Sequence, residues 1–216
     1  MFEAIKLYGY WRSSASYRVR IALNLKRVAW VGASVNLPEG EQGSEAYRKL
    51  NPIGLVPALV RTDGTVITQS LAIVDWLDHV EPEPPLFPED PIERAQVMAA
   101  GHVIAVDTHP LQNSGVVGHL KTEYALTQRQ AVEWMAHWMH RGFSAFEALC
   151  RQDTPFAFGE APGFADICLI PQLYNARRWK VDTSAYPRLR EIDRNCLRLS
   201  AFREAHPDVQ PDAEKS

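Results

Sequence analysis

Between His79 and Pro91 the chain reads HVEPEPPLFPEDP, which places five of the fifteen prolines of the 216-residue sequence within thirteen residues. Proline has no backbone N–H and fixes φ near about −65°, so such a segment neither continues a helix nor lies inside a sheet. It divides the chain into a first part of mixed signal and a second part whose signal is helical almost throughout. The expected organisation is a domain over residues 1–80, a linker over 81–90, an all-helical domain over 91–207 and a loose polar tail over 208–216. The length suits such a division.

The first part alternates between the two hydrophobic periods. AIKLYGY reads as a strand from Ala4 to Tyr8. From Ser14 the spacing of Val19, Ala22, Leu23 and Leu25 is helical, which leaves Arg18, Arg20 and Lys26 off that face. Ser13 or Ser14 suits the N-cap. In AWVGASVNL, Ala29, Val31, Ala33 and Val35 fall on one side of a strand. Strand, helix and strand at this spacing predict a parallel pair with a crossover helix. After an irregular stretch, a strand from Ala58 to Arg61, an Asp63-Gly64 turn and the returning TVIT form a hairpin. Gln69-Ser70 then opens a helix that buries Leu71, Val74 and Leu77, with Ile73 and Trp76 beside them. In the second part, TQRQAVEWMAHWMHRGFSAFEALC suggests a long helix with a stripe of Ala131, Trp134, Trp138, Ala145 and Leu149.

Charge and cysteine usage remove several function classes. A net charge of −3 argues against a polyanion-binding surface, so no nucleic-acid partner is expected. No apolar run approaches a membrane span. Cys150, Cys168 and Cys196 are widely spaced and odd in number, which fits neither a disulfide framework nor a zinc site and points to a reducing cytoplasm. The N-terminus lacks a basic leader with an apolar core, a second argument for a cytoplasmic protein. Glu133, His137 and His140 share a helix, but a two-metal bundle site needs a second carboxylate–histidine set, and the sequence offers none. No metal is expected.

Three features remain as candidate chemistry. Ser13 and Ser14 are either an ordinary cap or part of an anion seat, since a helix N-terminus presents free N–H groups and a partial positive charge. A thiolate seated there has its pKa lowered toward neutrality. Val56-Pro57 is either a proline leading a strand or a cis peptide that offers the Val56 N–H and C=O to a ligand backbone. Ser70 is a cap or a second anion seat. A thiolate seat, a backbone edge and a carboxylate seat together suggest a cysteine-containing peptide such as glutathione.

The segments WRSSASYRVRIALNLK, NPIGLVPALV, TQSLAIVDWL, DTHPLQN, GFADICLIPQLYNARRWKVD and AHPDVQPD run in order along almost the whole chain. In these the sequence resembles the zeta-class glutathione transferases of the maleylacetoacetate/maleylpyruvate isomerase type. The resemblance implies an α/β thioredoxin-like N-terminal domain, an all-α C-terminal domain, a homodimer, and glutathione as cofactor. It places catalysis on Ser13, with Ser14 and Arg12. Glutathione contacts fall on Ser13, Ser14, Gln42, Val56, Pro57, Gln69, Ser70, His109, Gln112 and Asn113. Roles in holding a carboxylate of a small dicarboxylic substrate fall on Arg12 and Arg178. The implied reaction is glutathione-dependent cis–trans isomerisation of maleylacetoacetate or maleylpyruvate to the fumaryl product in aromatic breakdown. Two alternatives stand beside it: a transferase that conjugates or dehalogenates electrophiles such as α-halo acids, and a non-catalytic interaction protein of the same fold. The sequence departs from the family pattern at Ala15, where relatives often carry cysteine, and at Gly163, where they carry Ser or Thr. Isomerisation is expected to survive the first, and the second costs about a few tenths of a kcal/mol.

Overall fold

The computed structural model describes residues 5–214. They form two compact units, one holding the residues up to Pro85 together with those from Arg198 onward, the other Leu86–Leu197. The first unit contains β1 (Ile5–Gly9), α1 (Ser14–Leu25), β2 (Trp30–Ser34), a 3-10 turn (Glu41–Gly43), α2 (Glu45–Leu50), β3 (Ala58–Val60), β4 (Val66–Thr68) and α3 (Ser70–Val80). The sheet order is β2-β1-β3-β4. β1 pairs parallel with β2, Ile5 opposite Trp30, and antiparallel with β3, Leu7 opposite Leu59. β3 and β4 close the hairpin with Ala58 opposite Thr68. The residue expected to start the first strand, Ala4, lies outside the described residues.

The crossover helix differs from its expected amphipathic form, because it is buried nearly all round. Arg18, Arg20 and Lys26 are 3%, 4% and 5% exposed, while Leu25 is only half-buried. Buried cations persist only where polar partners meet them. Arg18 Nε donates to Ser70 Oγ at 3.1 Å, and Arg20 donates to the carbonyls of Ala205 and Trp11, both at 2.9 Å. Lys26 Nζ reaches Asp78 Oδ1 and the Pro84 carbonyl, both at 2.6 Å. The expected one-sided pattern of β2 also fails, since Val31 is 49% exposed whereas Val35 is buried. β2 is an edge strand, so its pattern is set by what covers it rather than by the pleat alone. The stretch expected to be irregular before Val56 contains the 3-10 turn and α2, with Ser44 Oγ capping Tyr47 N at 3.2 Å.

Residues 198–214 carry the largest change to the expected partition. α9 (Ser200–Ala205) packs on α1 in the first unit. Tyr17 Oη donates to the Phe202 carbonyl, and Asn24 Nδ2 to that of Ala201 at 3.1 Å. The helical domain expected to run to residue 207 therefore ends at Leu197. The polar tail expected over 208–216 is ordered as far as it is described: Pro207–Val209 make a 3-10 turn and Gln210 is buried.

The second unit holds α4 (Pro91–His102), a widened π-type turn (Val103–Thr108), a 3-10 turn (His109–Gln112), α5 (Ser114–Glu123), α6 (Gln128–Leu149), α7 (Phe164–Arg178) and α8 (Pro187–Cys196). Asp90 Oδ1 caps α4 by accepting from the N–H groups of Ile92 and Glu93, with Pro91 at its first turn. Thr127 and Gln130 form a reciprocal capping box on α6. The buried stripe of α6 is Ala131, Met135, Met139, Gly142, Phe143 and Phe146, not the expected row of Trp134, Trp138, Ala145 and Leu149. Both tryptophans are half-buried, and Trp134 Nε1 donates to the Leu111 carbonyl at 2.6 Å. An indole with a polar edge to satisfy suits the flank of a core stripe. Arg188, buried in the first turn of α8, donates to the carbonyls of Arg151, Thr154 and Phe156 and so holds the otherwise irregular loop between α6 and α7. Among the described residues no helix is long and apolar enough to cross a membrane.

Candidate active site

The site is built first at the end of β1. Gly9 closes the strand where α1 comes nearest: a Cβ there would stand 2.9 Å from Ser16 Oγ. The chain then turns through Tyr10–Arg12, with Ser13 N donating to the Tyr10 carbonyl at 3.0 Å. Ser13, not Ser14, is the cap of α1, and its Oγ accepts from Ser16 N at 3.2 Å. That bond uses an oxygen lone pair and leaves the hydroxyl proton able to donate. Ser13 is half-buried, and Ser14 and Ala15 are buried behind it. A hydroxyl donor and the first N–H groups of a helix thus converge where an anion is favoured.

Arg12 stands beside this seat. Its guanidinium lies over the Trp11 ring at 4.6 Å, and Nη2 donates to Tyr10 Oη at 3.0 Å. Its Nε is buried and has no hydrogen-bond partner among the described residues. Gln42, on the 3-10 turn, has its Oε1 in the same condition. Trp11 Nε1 is a third such atom in this unit. A buried polar atom without a partner costs about 1–3 kcal/mol, so Arg12 Nε and Gln42 Oε1 mark places where a ligand would complete the bonding.

The Val56–Pro57 peptide is cis. The segment before it is pinned at the Leu55 carbonyl, which accepts from Tyr47 Oη at 2.8 Å and Asn51 Nδ2 at 2.6 Å. Burial pushes the Tyr47 phenol up to about 12, against the smaller lowering by Asn51, so it remains a donor. Gln69 precedes α3 with φ of 68°, a backbone state uncommon for a residue with a side chain, and is exposed. Ser70 begins α3, and its Oγ accepts from Arg18 Nε, which puts a buried guanidinium next to that helix N-terminus. Sequence periodicity assigned Arg18 to the outer face of α1 and missed this contact.

The residues expected from the second domain behave differently. His109 is half-buried and opens the 3-10 turn. Gln112 is 4% exposed, with its amide engaged within the unit. Its Nε2 donates to Gln172 Oε1 at 2.8 Å and its Oε1 accepts from Asn175 Nδ2, so it ties the turn to α7. Asn113 caps α5, with Oδ1 accepting from Val116 N at 2.9 Å. Arg178 is exposed at the end of α7, its guanidinium 4.7 Å from the Trp179 ring centre, while Arg177 pairs with Asp193 at 2.6 Å. Glu133, His137 and His140 have other partners: Glu133 pairs with Arg129, His137 lies edge-on to Trp138, and His140 Nδ1 is 3.0 Å from Tyr186 Oη.

Comparison with known proteins places these features in a lineage. The family model for the glutathione S-transferase N-terminal domain matches residues 12–80, and that for the glutathione S-transferase C-terminal domain matches 128–192. The chain is 44% identical to the maleylacetoacetate isomerase of Rhizobium meliloti strain 1021, over 94% of this chain and 95% of that protein. It is similar to the holo structure of a maleyl pyruvate isomerase, a bacterial zeta-class glutathione S-transferase. The TM-score is 0.94 at 40% identity, covering 97% of this chain and 100% of the other. It is also similar to the maleylacetoacetate isomerase of Anaeromyxobacter dehalogenans 2CP-1, solved with GSH bound in its active site. That match has a TM-score of 0.88 at 40% identity and covers 98% of each chain. The same protein has been solved with dicarboxyethyl glutathione and citrate in the active site, with a TM-score of 0.87 at the same identity and coverage.

Proposed function

The chain belongs to the glutathione S-transferase family, in its maleylacetoacetate and maleylpyruvate isomerase branch, and on that premise we propose that it isomerises a maleyl diketo acid to the fumaryl product with glutathione as cofactor. The single observation that carries this reading is the sequence-adjacent pair Arg12–Ser13. One residue offers a buried guanidinium N–H with no partner, the next a hydroxyl donor at a helix N-terminus.

The residues present fit glutathione, a peptide with one thiol, two carboxylates and an ammonium group. The start of α1 with Ser13 and Ser14 suits the sulfur, and the start of α3 with Gln69 and Ser70 suits a carboxylate. Val56 and Pro57 offer backbone to a peptide, and the unsatisfied Gln42 Oε1 offers an acceptor for an N–H. When bound, glutathione supplies a thiol nucleophile for the conjugated double bond and is regenerated, so a cis–trans change needs no other reagent. Ser13 donates its hydroxyl proton to the sulfur anion while its oxygen stays fixed by Ser16 N, and the free N–H groups of α1 add to that stabilisation. Arg12 holds a substrate carboxylate by its planar fork, and Arg178 is assigned the same task. Ser70 keeps its hydroxyl proton for a ligand because Arg18 occupies an oxygen lone pair. On this reading the first unit carries the glutathione site and the second, Leu86–Leu197, the substrate-side residues, with His109 facing ligand and Gln112 and Asn113 acting through the turn that they hold. We extend it to a homodimer in the cytoplasm. The three buried cysteines form no disulfide, which supports a reducing compartment.

The deciding experiment follows the absorbance of maleylacetoacetate and of maleylpyruvate with and without glutathione, and titrates free thiol at the end. The expected result is glutathione-dependent loss of one maleyl substrate with all thiol recovered. Thiol consumed in step with turnover would instead make the protein a conjugating transferase. No turnover and no retention on immobilised glutathione would make it a non-catalytic member of the fold. Light scattering at twice the 24.4 kDa chain mass checks the dimer.

A further inference from the structure

The closing motif AHPDVQPD, from Ala205 to Asp212, has no part in the chemistry above, yet several of its polar groups are bonded within the first unit. Arg20 Nε donates to the Ala205 carbonyl at 2.9 Å, and the His206 ring meets Tyr17 edge-on at 5.9 Å. His206 Nδ1 accepts from Asp208 N at 3.3 Å. Gln210 Nε2 donates to the carbonyls of Glu204 and His206, both at 2.9 Å. Pro207 and Pro211 restrict the backbone between these anchors. The segment is a stiff strap, and it ends with a carboxylate turned to the site. Asp212 Oδ2 accepts from Trp11 N at 3.1 Å and from Ser34 Oγ at 3.0 Å.

Trp11 is thereby gripped from both sides, its N–H by Asp212 and its C=O by Arg20 Nη2 at 2.9 Å. Its ring is the platform under the Arg12 guanidinium. The platform is itself buried, and beside it lies a cavity of about 440 Å³, lined among others by Tyr10, Trp11, Arg20, Trp30 and Asp212. On that side directed hydrogen bonds supply the constraint that neighbouring atoms supply elsewhere in a core.

We propose that Asp212, together with Arg20, is a positioning residue that holds Trp11 so that Arg12 presents its guanidinium to a substrate carboxylate. This rests on the reading of Arg12 given above. Asp212 acts on the dicarboxylic substrate through Arg12, while Gln42, Val56, Gln69 and Ser70, assigned to glutathione, lie on other elements of the unit.

The test compares wild type, Asp212→Ala, Asp212→Asn, Arg12→Ala and the double variant. Its readouts are steady-state kinetics on the maleyl substrate at saturating glutathione, calorimetric titration with malonate as a dicarboxylate probe, and thermal melting. Asp212→Ala is expected to raise the substrate KM and the malonate Kd about tenfold, with kcat and the glutathione KM within about twofold. Asp212→Asn keeps an oxygen acceptor for Trp11 N–H and is expected to stay within about threefold of wild type. On the Arg12→Ala background, Asp212→Ala should add nothing. An unchanged substrate KM in Asp212→Ala, an equal rise for substrate and glutathione, or additive losses in the double variant overturns the proposal. If Arg12→Ala raises KM and Asp212→Ala does not, the positioning role fails and the Arg12 reading stands. If Arg12→Ala itself changes nothing, the Arg12 reading fails and takes the positioning role with it. Should Asp212→Ala not fold, Asp212→Ser, too short to reach Trp11 N–H, gives the same comparison.

Discussion

The turn at Tyr10–Ser13 and the turn at His109–Asn113 both bring polar side chains to the mouth of a helix, and both read as binding motifs. In the first, polar atoms are left over: Arg12 Nε has no partner among the described residues, and the Ser13 cap uses only an oxygen lone pair. In the second, the polar atoms are engaged in holding the turn itself. Thr108 Oγ1 donates to the Val103 carbonyl at 2.7 Å, the Gln112 amide joins Gln172 and Asn175, and Asn113 Oδ1 caps Val116 N. A motif whose atoms are satisfied internally builds shape; one that leaves a buried donor open awaits a ligand.

Variants that touch one turn and spare the other test this contrast. Ser13→Ala removes a donor to a developing or resident anion and is expected to lower kcat about 100-fold, while loss of the α1 cap costs only about 1 kcal/mol of stability. Full retained activity would end the role of Ser13. Gln112→Ala should do the reverse, with a loss of about 2 kcal/mol in stability because Gln172 and Asn175 lose their partner, and only a small change in kcat. Urea unfolding measures the first quantity; a collapse in kcat without a loss of stability would return Gln112 to the binding side. Asn113→Ala costs about 1 kcal/mol as a lost cap, read by the same melts.

A pH experiment sharpens the structural half of the comparison. Asp166 Oδ1 and Oδ2 accept from the N–H groups of Ala157 and Gly163, both at 2.9 Å, at the start of α7. Burial pushes its carboxyl from the ordinary 3.8 up to about 6 despite those bonds. The folded chain therefore takes up this proton before the unfolded chain does. Its contribution to stability grows as pH falls from about 6 to about 4 and is lost as pH rises through about 6. Asp166→Asn should show unfolding midpoints without that slope; a slope that survives belongs to other groups. The smallest effect expected is at the seat itself, where Ala15→Cys should leave turnover within about twofold, since Ser13 and the helix N-terminus remain. A large gain would show that Ala15 impairs the enzyme.

The features legible in the sequence are those set within a few residues. The proline segment, the crossover strand order, the Asp63-Gly64 hairpin and the Ser13 cap all follow from local backbone chemistry. What was not legible depends on partners far along the chain. Arg18, Arg20 and Lys26 are buried because Ser70, Ala205 and Asp78 meet them, 52 to 185 positions away. Periodicity sees a charge and assigns it to solvent. On α6 the pattern was displaced because tryptophan counts as apolar although its N–H seeks an acceptor, and Trp134 finds one at Leu111. Gly163 shows a third limit. As a cap it seemed a minor loss, but a Cβ there would stand 2.8 Å from the Leu86 carbonyl, so serine would require that backbone to move.

The three cysteines, noted first only for their spacing, bear on the durability of the catalyst. Cys150, Cys168 and Cys196 are all buried and none forms a disulfide, and burial pushes the thiols of Cys150 and Cys196 up, the latter far. Maleyl compounds are electrophiles that alkylate exposed thiolates, and a protein turning them over meets them at every cycle. With alanine at position 15 and these three thiols buried, no described cysteine of the folded chain stands exposed to such reagents. Resistance to self-poisoning is thus written into where this chain keeps its sulfur.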